Sequence, residues 1–309
     1  MTDAPHAVRA HDVGAPHPFV TAALVAIAVV TVSLAAIFVK WADAPASTIA
    51  FWRNAIGALC LLPFAFPRRR ELPKGRALAL LPLAGVALAL HFAWWIASLS
   101  HTSVAASVVL VCTQPIFVAV LARVVLGERV SLTTALGIAI ALLGAVCIGA
   151  ESLVVDDGAA AHPRALFGNL LALAGAVAIA VYVLLGRRSR TTDGVPLVPY
   201  TFVVYASAAA TLLVVALAFG DAITGFDDQT WMAIVALALL PQLLGHTIFN
   251  WALKYVRAAV LSSTILLEPV IASALAWAIF DERPGTMVLV GGGVVLGGLV
   301  VVLLGRERG

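Results

Sequence analysis

From Val20 to Val39 the chain runs for twenty residues without a charge. At 1.5 Å per residue, such a helix is long enough to cross the ~30 Å hydrocarbon core of a bilayer. Similar runs recur to the end of the chain, separated by charged residues or by Pro and Gly. Ten spans follow from this pattern: 19–40, 47–66, 77–98, 103–125, 130–150, 165–186, 198–219, 230–251, 258–280 and 285–305. Several are separated by only a few residues, which predicts antiparallel hairpins. Residues 1–18 are polar and rich in Pro and His. They lack the apolar h-region of a signal peptide and read as a polar N-terminal tail, with the first helix retained.

Composition narrows the class. Hydrophobic residues make up 62% of the 309, charged residues 11%, and the mean hydropathy is +1.05. A soluble fold needs a largely polar exterior, so this composition excludes a soluble enzyme and a disordered chain. The pI near 9.0 hints at nucleic acid, but the net charge is only +3 and the basic residues sit in short loops. That placement is the signature of membrane orientation. With the N-terminus inside, fifteen of the nineteen Lys and Arg fall on inside segments, and Lys40, Arg53, Arg164 and Arg283 lie on or toward the outside. Both termini are therefore expected in the cytoplasm. Cys60, Cys112 and Cys147 lie within apolar runs without metal-ligand spacing, so neither a disulfide framework nor a metal site is expected.

The sequence also repeats. Residues 104–129 align with 258–283 without gaps at an offset of 154, matching Pro115 with Pro269 and Glu128-Arg129 with Glu282-Arg283. Gly137 with Gly291 and Gly144 with Gly298 continue the register. Two halves of five spans each, 19–150 and 165–305, must enter the membrane from opposite sides. The expected fold is thus an all-α membrane protein of ten transmembrane helices as two inverted five-helix repeats, the architecture of secondary transporters.

Two five-helix repeats, the P-x(12)-E-R pattern and the Leu267-Glu268-Pro269 triplet resemble the EamA-type domains of the drug/metabolite transporter superfamily. The resemblance covers about residues 19–305. It implies a bacterial inner-membrane permease or exporter of small metabolites, with a central cavity lined by the first four helices of each repeat. It also implies a peripheral last helix in each repeat. The Gly-rich tenth span (Gly291 to Gly293, Gly297, Gly298) suits close helix packing, within the monomer or at a homodimer face.

Polar groups inside a bilayer are expensive and therefore candidates for function. Gln242, His246 and Asn250 are spaced i, i+4, i+8 and read either as a polar strip on a cavity or as interhelical hydrogen bonding. His91 falls one position from the counterpart of His246 and four before Trp95, so the two histidines are placed to flank one cavity. Arg53 is either a bidentate clamp for a substrate carboxylate or a snorkelling side chain. Pro115 and Pro269 interrupt helix hydrogen bonding and serve as hinges or expose carbonyls. Glu128 and Glu282 precede the following helices and read as stabilising their positive ends. Glu268, the only acidic residue deep in a span, aligns with Gln114. A low-dielectric site disfavours its charged form, so Glu268 is the candidate for proton coupling, and a neutral hydrogen-bonding role is the alternative.

No GxxxxGK[ST], HExxH, GxSxG or TVGYG motif is present. The expected function is secondary active export of small metabolites or amino acids by alternating access, with no cofactor and no enzymatic activity. Its partners are a small-molecule substrate, the lipid bilayer and protons, with no nucleic acid. A phosphorylated-sugar or nucleotide-sugar exchanger is an alternative. It calls for cavity-facing basic residues, of which Arg53 is the only clear one. An intramembrane enzyme built on His91, His246 and Glu268 is a third. Liposome reconstitution separates these classes, because a transporter delivers its solute chemically unchanged.

The orientation is testable. Single cysteines at Arg69 and Asp157, in a background lacking the native three, should react with an impermeant thiol reagent in intact cells only at residue 157. Labelling at residue 69 contradicts the ten-span, N-inside topology.

Overall fold

A computed structural model of the chain describes residues 16–102, 104–155, 164–280 and 285–305. All regular elements among them are helical. Among the described residues nine helices are long and apolar enough to cross a membrane: α1 (Pro18–Trp41), α2 (Ala46–Ala65), α3 (Arg76–Ser98), α4 (Ala106–Leu126), α6 (Ala165–Thr191), α7 (Leu197–Phe219), α8 (Asp228–Ala252), α9 (Ala258–Leu275) and α10 (Thr286–Gly305). The remaining one, α5, runs Leu132–Val155, and its apolar part Leu132–Ile148 is shorter. The expected boundaries agree with these to within a few residues. The tail up to residue 15, Asp156, Asp157, Glu282, Arg283, Arg306 and Arg308 lie outside the described residues.

The exterior is apolar. Leu143, Val214, Leu217, Leu289, Val300 and Leu304 stand exposed along the helices, which in water would be untenable and in lipid is favourable. The interior is built of small residues and a set of buried polar groups. Because lipid tails are as apolar as leucine, close packing and interhelical hydrogen bonds hold the bundle together. α2 packs on α7 and α8, α3 on α6 and α7, α1 on α8 and α9, α4 on α6 and α9, and α5 along α10.

The α5–α10 seam shows the close packing. A Cβ added at Gly298 would lie 2.4 Å from the Ala141 nitrogen, and one at Gly144 2.6 Å from the Gly291 carbonyl. Gly137 likewise abuts Val302 and Gly298. Gly293 and Gly297 have open space instead. So the Gly-rich run serves packing within the monomer on one face only.

Four of the inner helices are irregular, each for a reason visible in the sequence. In α1 the Thr31 and Ser33 hydroxyls donate to the Ala28 and Val29 carbonyls (2.9 and 2.8 Å), and the helix breaks at Leu34. In α4 it restarts at Gln114, one residue before Pro115. In α8, Pro241 lies inside a wide i→i+5 stretch, Ala238–His246. In α9, a 3₁₀ turn at Thr264–Leu267 precedes Glu268 and Pro269. Proline has no N–H for the carbonyl four residues back. The Ile265 carbonyl, which Pro269 deprives of that donor, accepts instead from the Glu268 N–H and from the Cys112 Sγ at 3.7 Å.

Gly298→Leu should disrupt the α5–α10 seam and cost about 1–3 kcal/mol, as overpacking does. Gly297→Leu should be near neutral. Thermal unfolding of the purified variants checks this, and equal melting temperatures contradict the seam.

Candidate substrate cavity

Arg53 sits seven residues into α2 with 0% of its surface exposed. It does not snorkel. Its Nε donates to the Gln242 Oε1 at 3.1 Å, and the Gln242 Nε2 donates to the Asn54 Oδ1 at 3.0 Å. α8 comes this close because position 57 is glycine: a Cβ there would lie 3.3 Å from the Gln242 Cγ. The guanidinium lies over the Phe92 ring, 3.9 Å from its centroid. Its Nη1 and Nη2 have no hydrogen-bond partner. An uncompensated charge so placed costs several kcal/mol, and its free fork has the geometry that takes a carboxylate in two parallel bonds.

Arg53 opens into a cavity of about 50 Å³, whose lining includes His91, Trp95, Gln114, His246 and Glu268. His91 Nδ1 lies 3.0 Å from the Gly175 carbonyl, which accepts its proton. Its ring stacks on Trp95 at 6.2 Å with 2° between the planes. Phe92 meets His246 edge-on at 5.3 Å. Glu268 is 4% exposed, and its Oε2 accepts from the Cys112 thiol at 3.9 Å. Trp95 Nε1 and Gln114 Oε1 are buried without partners. The cavity thus holds one cationic and one acidic side chain that do not bond to each other.

A second cavity of about 50 Å³ adjoins the first, sharing Val32, Gln114, Ile179, His246 and Ile265. Asn250, Tyr182 and Ser262 are its polar residues beyond those shared. The Tyr182 hydroxyl donates to the Asn250 Oδ1 at 2.6 Å, leaving the Asn250 Nδ2 without a partner. No metal-binding cluster occurs among the described residues.

Hydrogen bonds tie the bundle at both ends of α8. At its N-terminal end, Ser47 donates to Asp221, and Thr48 and the Trp52 indole donate to the Ala222 and Ile223 carbonyls, each at 2.8 Å. The Asp43 N–H donates to the Thr230 Oγ1 at 3.0 Å. At the other end, Arg187 pairs with Glu128 at 2.7 Å and donates to the Leu253 carbonyl at 2.5 Å. Glu128 also accepts from the Ala258 N–H at 3.3 Å. Glu128 therefore caps α9, which corrects the expectation that it stabilises the helix after it. The expectation for Glu282 lies outside the described residues.

Of the residues singled out in the sequence, Arg53, His91, Trp95, Gln114, His246 and Glu268 share the first cavity. Asn250 joins Gln114 and His246 in the second. Gln242 lines neither; it holds Arg53. The i→i+5 turns explain the split, because residues four apart no longer stay on one face. Pro115 and Pro269 lie at the helix restarts beside Gln114 and Glu268. Sequence reasoning missed Tyr182, Cys112 and the Glu128–Arg187 pair. Tyr182 carried a signal, a lone hydroxyl inside the apolar run from Leu170 to Leu185.

The EamA-like transporter family model matches residues 20–150 and 166–304. The uncharacterized transporter YdfC of Bacillus subtilis is 28% identical, over 83% of this chain and 81% of its own. The pseudopaline exporter CntI of Pseudomonas aeruginosa is 26% identical over 92% and 95%. The "Probable terminal-alkyne amino-acid exporter" of Streptantibioticus cattleyicolor is 28% identical over 78% and 77%. A solved crystal structure superposes with a TM-score of 0.78 at 19% identity, covering 94% of this chain and 99% of that one, and shares its fold. Membrane-spanning helices, a polar central cavity and these relatives agree on a small-molecule transporter of the membrane rather than an enzyme: the chain belongs to the EamA-like transporter family.

Proposed function

We propose that the protein exports small metabolites or amino acids by alternating access, anchoring a substrate carboxylate on Arg53. The observation that carries this reading is the fully buried guanidinium whose Nη1 and Nη2 are unpartnered in the central cavity. His91, Trp95, Gln114, His246 and Asn250 complete the binding surface, and Gln242 positions Arg53. Export draws support from the relatives named as exporters, one of them of an amino acid. Arg53 is the sole Lys or Arg lining the cavities, so a phosphorylated-sugar or nucleotide-sugar exchanger is not favoured.

The halves 19–150 and 165–305 are read as inverted repeats in a bacterial inner membrane, with both termini cytoplasmic. Helix pairing supports this. Exchanging α1–α5 with α6–α10 turns α3·α6 into α8·α1, α2·α8 into α7·α3, and α4·α6 into α9·α1. The pairs α2·α7, α4·α9 and α5·α10 map onto themselves. The same exchange swaps the Gly137–Gly298 and Gly144–Gly291 contacts. Symmetry of this kind allows two near-equal conformations. The ties at the two ends of α8 then act as gates that open in turn.

Glu268 is the proposed proton site. It faces the cavity beside Pro269, while its counterpart Gln114 cannot titrate. Glu268→Gln keeps shape and hydrogen bonding, so it should abolish uphill pH-driven transport in proteoliposomes while exchange persists. Unchanged uphill transport assigns Glu268 a structural role.

Arg53→Met should cut carboxylate transport at least about tenfold, since a hydrogen bond to a charged group contributes about 1.5–3 kcal/mol. Its melting temperature should change little, because removing a buried, incompletely paired charge offsets the cost of the Gln242 oxygen left without its donor. Unimpaired transport by this variant contradicts the reading.

A further inference from the structure

We infer that the two joined cavities form one elongated site for a slender, two-ended substrate: a carboxylate at Arg53 and Trp95, and a neutral hydrogen-bond acceptor at Asn250. This deepens the transport reading above and rests on its carboxylate anchor.

The two ends differ in chemistry. The first cavity offers the Arg53 fork and the unpartnered Trp95 Nε1, donors suited to an anion. The lining of the second contains no Asp, Glu, Lys or Arg. Among its buried atoms the Asn250 Nδ2 is a donor without a partner, on a side chain with 0% exposure. The Tyr182 hydroxyl occupies the Asn250 oxygen and leaves the NH₂ as the unpaired group of that side chain. A buried N–H without an acceptor costs about 1–3 kcal/mol, and no group of the lining accepts from this one. A ligand carbonyl would.

Spacing and width fix the shape. Arg53 is held at the level of Gln242, eight residues before Asn250 on α8. At a rise near 1.5 Å per residue, and less through the wide turns, the ends are about 10 Å apart. Of the five residues that line both cavities, Val32, Ile179 and Ile265 are apolar and Gln114 and His246 are polar, so a largely apolar chain passes between the ends. Each cavity of about 50 Å³ admits only a few water-sized groups. The site takes an extended chain and excludes fused rings.

The test uses straight-chain carboxylic acids of graded length, each with either an amide or a methyl group at the far end, titrated calorimetrically into the purified full-length protein. Methyl-ended acids should bind weakly and depend on Arg53. Amide-ended acids should show an optimum at the length that spans about 10 Å, roughly tenfold tighter than their methyl-ended partners, the gain expected of about 1.4 kcal/mol. Asn250→Ala should erase that gain, bringing amide-ended acids to the affinity of their methyl-ended partners. Asn250→Asp keeps an oxygen for Tyr182 but removes the donor, so it should shift the preference to amino-ended acids, a reversal that damage to the fold does not produce. Equal binding of both series at every length, or a gain surviving both substitutions, overturns the two-ended site while sparing the Arg53 anchor. Loss of all Arg53-dependent binding overturns both.

Discussion

A guanidinium fixed inside an apolar bundle is the constraint that organises this protein. Arg53 cannot reach headgroups, and in that low dielectric its charge calls for hydrogen bonds and a counter-charge. Gln242 satisfies one nitrogen, Phe92 offers a ring face, and two nitrogens remain open. The surrounding choices follow from this. Gly57 brings α8 close enough for Gln242, Asn54 fixes the glutamine, and the irregular turns of α8 carry His246 and Asn250 onward to the cavities. Stability is given up at the site, and in the proposed reading the open guanidinium takes an anion in return.

The rest of the fold supplies that stability elsewhere. The glycine seam between α5 and α10 makes a rigid rim by backbone contact, where lipid offers no hydrophobic drive for association. In contrast, the ties at the two ends of α8 are a handful of hydrogen bonds and one ion pair between part-buried groups, each of modest strength. A stiff rim around weakly tied ends is what a bundle needs if its ends are to open and reclose while its core keeps its packing.

Much of this could be read from the sequence. Apolar run length gave the spans, because backbone polar groups in lipid leave helices as the only economical choice. Pro115 and Pro269 marked the breaks, and scarcity of polar residues singled out Arg53, His91, His246 and Glu268, which line one cavity. What stayed hidden depended on contacts between distant segments. Gln242 read as either a cavity residue or an interhelical hydrogen-bonder, and only the structure shows that it bonds Arg53. Glu128 looked like a cap for its own following helix and caps α9, more than a hundred residues away. Even the regular spacing of Gln242, His246 and Asn250 misled in part, since Pro241 widens the helix under them and a 3.6-residue period no longer applies.

Alternation of the two ends is the account's central claim, and paired spin labels measure it directly. One pair at Asp43 and Gln229 and another at Arg129 and Lys254, all exposed positions beside the ties, report the two ends of α8 in lipid nanodiscs. Pulsed distance measurements should find short and long populations at both ends, and a transported carboxylate should move them in opposite directions. Both ends lengthening together, or neither responding, contradicts alternating access.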